Sequence, residues 1–387
     1  MEQYTRYIGF DVSAETIVIA EAFPGRERAR DLGTISYRLD SVSQWIRRQS
    51  DASSLLICYE AGPTGLGLAR HLHRLGVACD VIAPGLIPHK ASERVKTDRR
   101  DARKLAEDSR AGSLTPIHLP SETEEAFRDL VRARAAAVAD RHRLRLRMKS
   151  ALLRWDIRRP EKMMGWRPRY YAWIRTLHPT PSPRDAVWTE WLTQLEELDT
   201  RVERLNATLQ AQMLCHPLSP LMQALQALRG VDWLTAATLV AECGDFSQFR
   251  HPRELMGFTG LVPVESSSGE SQWRGHITKT GNSALRHVLV EAAHSYRFQP
   301  TLKGAIRRRL ALMPQWESVL RPISWRAQQR LHARLRRLGA KRGYAAAYTA
   351  VGRELCGYVW EVAVWWRATQ MPPSQPKMVP HEEVVTR

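Results

Sequence analysis

Tyr7-Ile8-Gly9-Phe10-Asp11-Val12 is a short apolar run that stops at an acid, and three residues later Thr16 to Ala22 (TIVIAEA) is a second, β-branched run. Two such runs across so short a gap predict a hairpin. Thr34 to Arg38 reads as a third strand, and Leu55-Leu56-Ile57-Cys58-Tyr59 as a fourth that ends at Glu60 and is punctuated by Gly62-Pro63. A helix is expected from about Thr64 to Leu75, with Leu66, Leu68, Leu72 and Leu75 on its apolar face. Val77 to Ala83 is a fifth strand stopped by Pro84, and a charged helix follows around Arg94–Ala111. Strands in hairpin order, then strand, helix, strand and helix, give an α/β class for this part of the chain.

From Ser121 the pattern changes to long helices. Ser121-Glu122-Thr123-Glu124 is a capping-box signal. Leu130, Ala137, Leu144 and Ala151 then recur every seven residues. A linker rich in Pro and aromatics runs from Pro160 to Pro183, and a second helix carries Trp188, Leu192, Leu195, Leu198, Val202, Leu205, Leu209 and Met213. This spacing fits an antiparallel helical hairpin or coiled coil, and equally a plain helical bundle. Pro217 to Arg297 reads as short helices and turns, 303–342 as a basic helical stretch, and Tyr344 to Trp366 as an apolar helix. The expected domains are 1–118 (α/β), 119–215 (helical hairpin with a basic segment) and 216–366 (mainly helical, with a basic extension), with 367–387 an expected disordered tail.

The 58 Lys and Arg outnumber the 40 Asp and Glu, for a net charge of +18. The excess is localised. Residues 140–169 hold eleven Lys/Arg against three acids, or +8, and 303–342 hold twelve against one, or +11. Such a balance points to a polyanionic partner. Arg143, Arg147 and Arg154 lie in the first patch, among Trp155, Trp166, Tyr170 and Tyr171. Arginine with aromatics suits RNA or single strands, and a solvated arginine-rich helix is the plainer alternative. No apolar run reaches the ~18–20 residues of a membrane span. The start lacks a signal-peptide core, and the five cysteines are scattered without CxxC spacing. Together these lead to the expectation of a reducing cytoplasm, without a disulfide framework or a cysteine zinc site.

Two constellations could carry chemistry. Asp11 and Glu60 end the first and fourth strands, and Asp98 and Asp101 share a helix face in Lys96-Thr97-Asp98-Arg99-Arg100-Asp101. Four carboxylates meeting at one sheet edge would make an oxygen-rich site for Mg²⁺ or Mn²⁺, although the flanking arginines offer helical salt bridges instead. The second is Glu265-Ser266-Ser267-Ser268-Gly269, followed by Gly275-His276-Ile277-Thr278-Lys279-Thr280-Gly281-Asn282 and Arg286. A serine beside glycine, near Lys279 and Arg286, has the parts for attack on a phosphate, and on composition alone also reads as a flexible polar loop. Leu228-Arg229-Gly230-Val231-Asp232-Trp233 outlines a helix-hairpin-helix or a simple αα-corner.

The order GFDVS, YEAGPTG, KTDRRDARKLA, then GVDWLTAATLVAECGDFSQFRHPRELMGFTGLVP, SSSGE and GHITKTGNSALRHVLVEAA resembles the IS-one-ten insertion-sequence family of DEDD transposases. KRGYAAAYTAVGRELCGYVW resembles its closing helix. The resemblance implies an RNase H-like (RuvC-like) domain, a helical coiled-coil insertion and a mainly helical carboxy-terminal transposase domain. It implies a DNA recombinase in which Asp11, Glu60, Asp98 and Asp101 bind Mg²⁺ (or Mn²⁺) and a serine forms a covalent phosphoserine link. That serine maps to Ser267, with Ser268 as a possible second and Ser266 a weaker third. It implies donor and target double-stranded DNA, a structured bridge RNA as guide, and a homo-oligomer, dimer or tetramer. Lys279, Arg286, Arg143, Arg147 and Arg154 are the expected phosphate or nucleic-acid contacts. The sequence departs at His276, where the family usually has Arg. The rivals are a RuvC-like metal-dependent nuclease or resolvase using activated water, and a non-catalytic nucleic-acid-binding protein.

Overall fold

A computed structural model describes residues 4–88, 97–268 and 271–370. The chain divides into two compact units, Met1–Leu119 and Pro120–Arg387. Among the described residues no helix is long and apolar enough to cross a membrane.

The first unit runs β1 (Arg6–Val12), β2 (Thr16–Ala22), β3 (Arg30–Ser36), α1 (Leu39–Arg47), β4 (Leu55–Glu60), α2 (Gly67–Arg74), β5 (Ala78–Ile82) and α3 (Asp98–Arg110). The sheet order is β3-β2-β1-β4-β5. β1–β2 and β2–β3 pair antiparallel, while β1–β4 and β4–β5 pair parallel. This topology is consistent with the RNase H-like fold that the resemblance implies. One face packs Ile8, Phe10, Ile17, Ile19, Ile57 and Tyr59 against Val42 and Ile46 of α1 and Leu68 and Leu72 of α2. The other face is lined by small residues, and α3 covers it. Val18 and Ala20 meet Ala102, and Ala22 meets Ala106.

Several boundaries differ from the sequence reading. β3 begins at Arg30 rather than Thr34, because a register shift at Ile19/Ala20, beside Gly33 at φ +107°, lets β2 and β3 pair further down. α1 was not anticipated, since a nine-residue helix shows barely two turns of periodicity. α2 starts at Gly67 rather than Thr64, because Gly62 to Gly65 closes a turn first, with Gly65 at φ +73°. The expected start of α3 at Arg94 lies outside the described residues.

The second unit opens with α4 (Glu122–Arg154), whose Ser121 closes the expected capping box with Glu124. α5 (Pro168–Arg175) and α6 (Ser182–Cys215) follow. α4 and α6 run antiparallel: Arg134 bonds Asn206 at 2.9 Å and Arg141 bonds Asp199 at 2.9 Å. The buried residues of α6 include Trp188, Leu195, Val202 and Leu209, one every seven residues. The stretch read as a linker is instead part of the hairpin's end. Tyr170 and Ile174 of α5 are buried with Leu144, Met148 and Trp188, and Trp188 Nε1 donates to Ile174 O at 3.0 Å.

α7 (Ser219–Leu225), α8 (Trp233–Cys243), α9 (Pro252–Phe258), the hairpin β6 (Pro263–Ser268) and β7 (Ser271–Ile277), α10 (Ser283–Ala293), α11 (Ala305–Ala311), α12 (Glu317–Arg342) and α13 (Tyr344–Gln370) complete the unit. Their shared core includes Leu239 of α8, Leu289 of α10, Leu331 of α12 and Val359 of α13. The last helix runs to Gln370, so residues 367–370 of the expected tail are helical, and 371–387 lie outside the described residues.

Gly9 decides how closely α3 can approach the sheet. A Cβ there would lie 2.0 Å from Ala102 O and 2.7 Å from Ala106 N. These are backbone atoms and cannot swing aside. Gly9→Ala is therefore expected to destabilise the first unit by about 3 kcal/mol or more, read as a lowered urea midpoint. An unchanged midpoint would refute this account of the packing.

Candidate active site

The acids sit where backbone register puts them. Phe10 of β1 pairs with Tyr59 of β4, so Asp11 and Glu60 stand abreast one step further along. Gly9 faces α3. Side chains alternate along a strand, so Asp11 shares that face. Cys58 Sγ donates to Leu105 O at 3.3 Å, which fixes the same face for Glu60. α3 runs antiparallel to β1: its Ala102 lies by Val18 and Ala20, while Ala106, one turn later, lies by Ala22. Its first turn, with Asp98 and Asp101, is thereby directed to the end of the sheet that carries Asp11 and Glu60. Asp11 and Asp101 are half-buried, and Glu60 and Asp98 are exposed.

Side chains from one edge hold α3 in this register. Arg103 grips Asp31 of β3 through both of its donor positions, with Nε to Oδ1 at 2.6 Å. This pair pulls the Asp31 carboxyl below its usual range, and the hydrogen bond is the larger cause. Glu107 accepts from Ala29 N at 2.9 Å, and Arg110 donates to Glu27 O at 2.5 Å. The loop after Glu60 is tied by Tyr59 Oη to Gly65 O at 3.2 Å and Tyr37 Oη to Thr64 O at 3.3 Å.

The backbone brings the four acids to one end of one face, but the side chains are not drawn into a cluster. Among the described residues no three His, Cys, Asp or Glu groups are close enough together to hold a metal ion. The donor set is all carboxylate, which suits a hard divalent cation in its chemistry. A further acid on this face escaped the sequence reading. Asp80 of β5 pairs with Cys58, and burial raises its pKa, with His73 opposing. Cys79-Asp80-Val81 reads as an ordinary strand, so nothing in the sequence singled it out.

The serines lie on a strand rather than in the polar loop that composition suggested. Ser266, Ser267 and Ser268 pair in register with Trp273, Gln272 and Ser271. The hairpin's backbone hydrogen bonding overrides the low strand propensity of a serine run. Gly269 lies outside the described residues, as do the side chains of the three serines. His276, on β7, is exposed.

Beyond β7 the chain turns sharply. Lys279 is exposed and sits at φ +55°, a left-handed conformation that costs a non-glycine residue about 1 kcal/mol and clusters at functional sites. Arg286 is half-buried and donates to Thr259 O at 2.8 Å, so part of its guanidinium has a structural duty. Gly260 makes room for this turn, since a Cβ there would lie 2.5 Å from Thr280 O and 2.7 Å from Arg286 Nη1. Asn282 caps α10 through Leu285 N at 3.0 Å, while its Nδ2 donates to Glu242 Oε2 at 2.6 Å. Glu242 is buried and receives Arg132 of α4 bidentately, at 2.8 Å on both oxygens. The sequence reading missed this triad, whose members are 110 and 40 residues apart.

Comparison with known proteins decides the family. Residues 8–155, which contain the four acids, match a family model for the DEDD domain of IS110-type proteins described as "Transposase". Residues 222–306, which contain the serines, Lys279 and Arg286, match one described as "Transposase IS116/IS110/IS902 family". The chain is 39% identical to "Putative transposase y4qE" of Sinorhizobium fredii, over 92% of this chain and 88% of that protein. It is 29% identical to "Transposase for insertion sequence element IS1533" of Leptospira borgpetersenii, over 87% of this chain and 97% of that one. The chain belongs to the IS116/IS110/IS902 transposase family. It is a DNA transposase, an enzyme of insertion-sequence movement.

The transposase spends part of its positive charge on itself. Arg141 and Arg145 of α4 both pair with Asp199 of α6, and Arg145 lies over the Trp166 ring at 4.9 Å. Trp155, Trp166, Tyr170 and Tyr171 pack into the core at the end of the hairpin instead of forming an open stacking platform. Arg143, Arg147 and Arg154 remain exposed, with Arg143 paired to Asp140 one turn back.

The Arg132–Glu242 pair gives an asymmetric expectation. Arg132 is half-exposed and can return to water, whereas Glu242 is sealed in. Arg132→Ala, which strands a buried carboxylate, is expected to cost about 3 kcal/mol, and Glu242→Gln clearly less. Denaturant midpoints of the two variants check the order, and equal losses would contradict it.

Proposed function

We propose that this transposase cuts and rejoins DNA through a covalent phosphoserine intermediate, with Ser267 as nucleophile and Asp11, Glu60, Asp98 and Asp101 as the ligands of Mg²⁺ or Mn²⁺. The observation that carries the reading is that Asp11 and Glu60 stand abreast on one face and end of the sheet, to which the first turn of α3 directs Asp98 and Asp101. Four carboxylates repel one another, and a divalent cation is what makes their approach favourable. When bound, the metal would polarise the scissile phosphate.

The Ser267 oxygen attacks phosphorus, a new P–O bond forms, and one deoxyribose oxygen leaves. Rejoining reverses these steps with a different DNA hydroxyl, so one phosphodiester is exchanged for another and no external energy source is required. The attack needs a proton acceptor for the hydroxyl and positive charge for the developing oxyanion. The exposed Lys279 and the part of Arg286 not used by Thr259 O are the cations that this reading assigns to the phosphate. Ser268 is the second candidate.

The reading extends to a structured bridge RNA that selects donor and target duplexes, and to a dimer or tetramer. Support for an RNA surface is the exposed set Arg143, Arg147 and Arg154. Support for assembly is the antiparallel α4–α6 pair, which in this reading is a coiled coil that another copy can join.

Incubation with element-end DNA, the element's own RNA and Mg²⁺ tests the chemistry on a denaturing gel. Wild type is expected to give a protein–DNA adduct. Ser267→Ala should keep DNA binding and lose the adduct, Ser268→Ala should only slow it, and Asp11→Asn should abolish cleavage with an unchanged melting temperature. Free nicked DNA without adduct would instead favour metal-activated water, and a phosphodiester mapped to another residue would overturn Ser267. For the RNA surface, changing Arg143, Arg147 and Arg154 to Glu should weaken binding of the element's own RNA at least tenfold and leave thermal stability within about 0.5 kcal/mol. Unchanged RNA affinity would remove this surface from the reading.

A further inference from the structure

A cleft of about 470 Å³ opens between the Gly230 turn and the start of α11, and none of its lining residues belongs to the serine hairpin. That volume lies in the range of small-ligand sites and suits one nucleotide. Its wall carries Arg229, Lys303, Arg309, Asp232 and Phe298. Two of the cations are fixed by main chain. Arg229 Nη1 donates to Phe298 O at 3.0 Å and to Gln299 O at 2.9 Å, and Arg309 Nη1 donates to Val231 O at 2.9 Å. Neutral carbonyls hold both guanidiniums in place without cancelling their charge, and among the described residues neither has a salt-bridge partner. Burial disfavours their charged form and lowers both pKa values. At Arg309, Asp232 offsets part of this, but its Oδ1 is committed to capping α8 through Thr235 N at 2.8 Å. Lys303 is exposed at the rim. An anion with several acceptor oxygens is the complement this wall lacks.

Phe298 narrows the choice of anion. The residue is 58% exposed, on the wall of a cationic cleft, where a lone large aromatic ordinarily turns inward. The Arg297 guanidinium lies 4.7 Å from the ring centroid. Fixed cations for a phosphate beside an exposed ring for a base are the two parts of a single-strand site. Paired bases in a duplex stack on each other and cannot reach such a ring. We infer that this cleft holds one unpaired nucleotide of single-stranded DNA, its phosphate between Arg229, Arg309 and Lys303 and its base on Phe298. The inference is independent of the phosphoserine route and of the metal ligands, and needs only that the enzyme meets unpaired DNA while strands are exchanged.

Fluorescence anisotropy of the full-length protein with labelled ten-nucleotide oligothymidylate, oligouridylate and a ten-base-pair duplex tests it. Phe298→Leu and Lys303→Gln, both at exposed positions, should each weaken oligothymidylate binding about tenfold and change duplex binding less than twofold. Phe298→Trp should retain or strengthen binding, because it preserves stacking. Melting curves confirm that the variants are folded. An equal loss for duplex and single strand would reduce the cleft to unspecific surface charge and overturn the inference, as would unchanged oligothymidylate binding. A loss confined to oligouridylate would overturn the assignment to DNA.

Discussion

The seating of α3 on β1 is the contact on which the acidic end of the first unit depends. Backbone meets backbone at Gly9, where a single methyl would collide with Ala102 O and Ala106 N. Ala20 and Ala22 on the sheet and Ala102 and Ala106 on the helix keep the rest of the interface equally thin. Such an interface has little tolerance for sliding, because each helical turn advances about 5.4 Å. A slip of one turn would carry Asp98 and Asp101 away from the level of Asp11 and Glu60. The Arg103–Asp31 grip and the Glu107 bond to Ala29 N act at the far edge as stops against that slip. Small residues set the depth of the helix and polar side chains set its position along the strand.

The second unit uses the same division of labour with a buried charge at its centre. Glu242 gathers Arg132 from α4 and Asn282 from the cap of α10, so three distant segments meet at one carboxylate. Close approaches again fall at glycines. A Cβ on Gly281 would lie 2.3 Å from Phe258 O, and one on Gly230 would lie 2.3 Å from Ala292 O. Gly281 adopts φ +114° and Gly230 φ +84°, so both turn geometry and space exclude a side chain there. The turn that carries Lys279 is therefore braced from behind by Asn282 and from the side by Gly260. Its strained backbone persists because its surroundings over-determine it.

What could be read in the sequence follows from the range of each interaction. The β1–β2 hairpin, the Ser121 capping box, the seven-residue recurrence in α4 and the three-to-four-residue apolar spacing in α6 are local patterns, and the elements they announce are present. The five strands were legible as separate apolar runs, while their order in the sheet comes from the structure. Asp11 and Glu60 could be placed at strand ends from the runs that precede them, but the face they share follows from Gly9 and Cys58, which no spacing rule reads. Long-range partners left no local trace. The Arg132–Glu242–Asn282 triad is one case. The stripe Ser324, Gln328 and His332 is another: it looks like a solvent face, yet is buried against the main chain of Ala227, Thr301 and Tyr296. Serine content also misled, because hairpin pairing with β7 decides the fate of Ser266 to Ser268.

Net charge needs the same discount before it is turned into binding. Counterion release counts cations that face solvent and are available to a phosphate, and a pair closed within the protein contributes little. In the stretch 303–342, Arg326 pairs with Glu361, and Arg330 and Arg334 both pair with Glu354 of α13. These arginines hold α12 to α13 and neutralise two acids of α13. Arg309 is bound to main-chain carbonyls. Arg307, Arg308, Arg336 and Arg337 remain exposed, so the segment most basic by count divides into helix-to-helix fastening and solvent-facing charge. The α4 stretch divides likewise, with Arg141 and Arg145 turned to Asp199, Arg147 to solvent, and Arg143 exposed but paired with Asp140. Alternation along a helix produces this division: positions two apart lie about 200° apart around the axis, so one set closes the hairpin while the other faces outward. A basic helix of this kind can fasten a fold and present charge to nucleic acid at once, and the two roles fall on different residues.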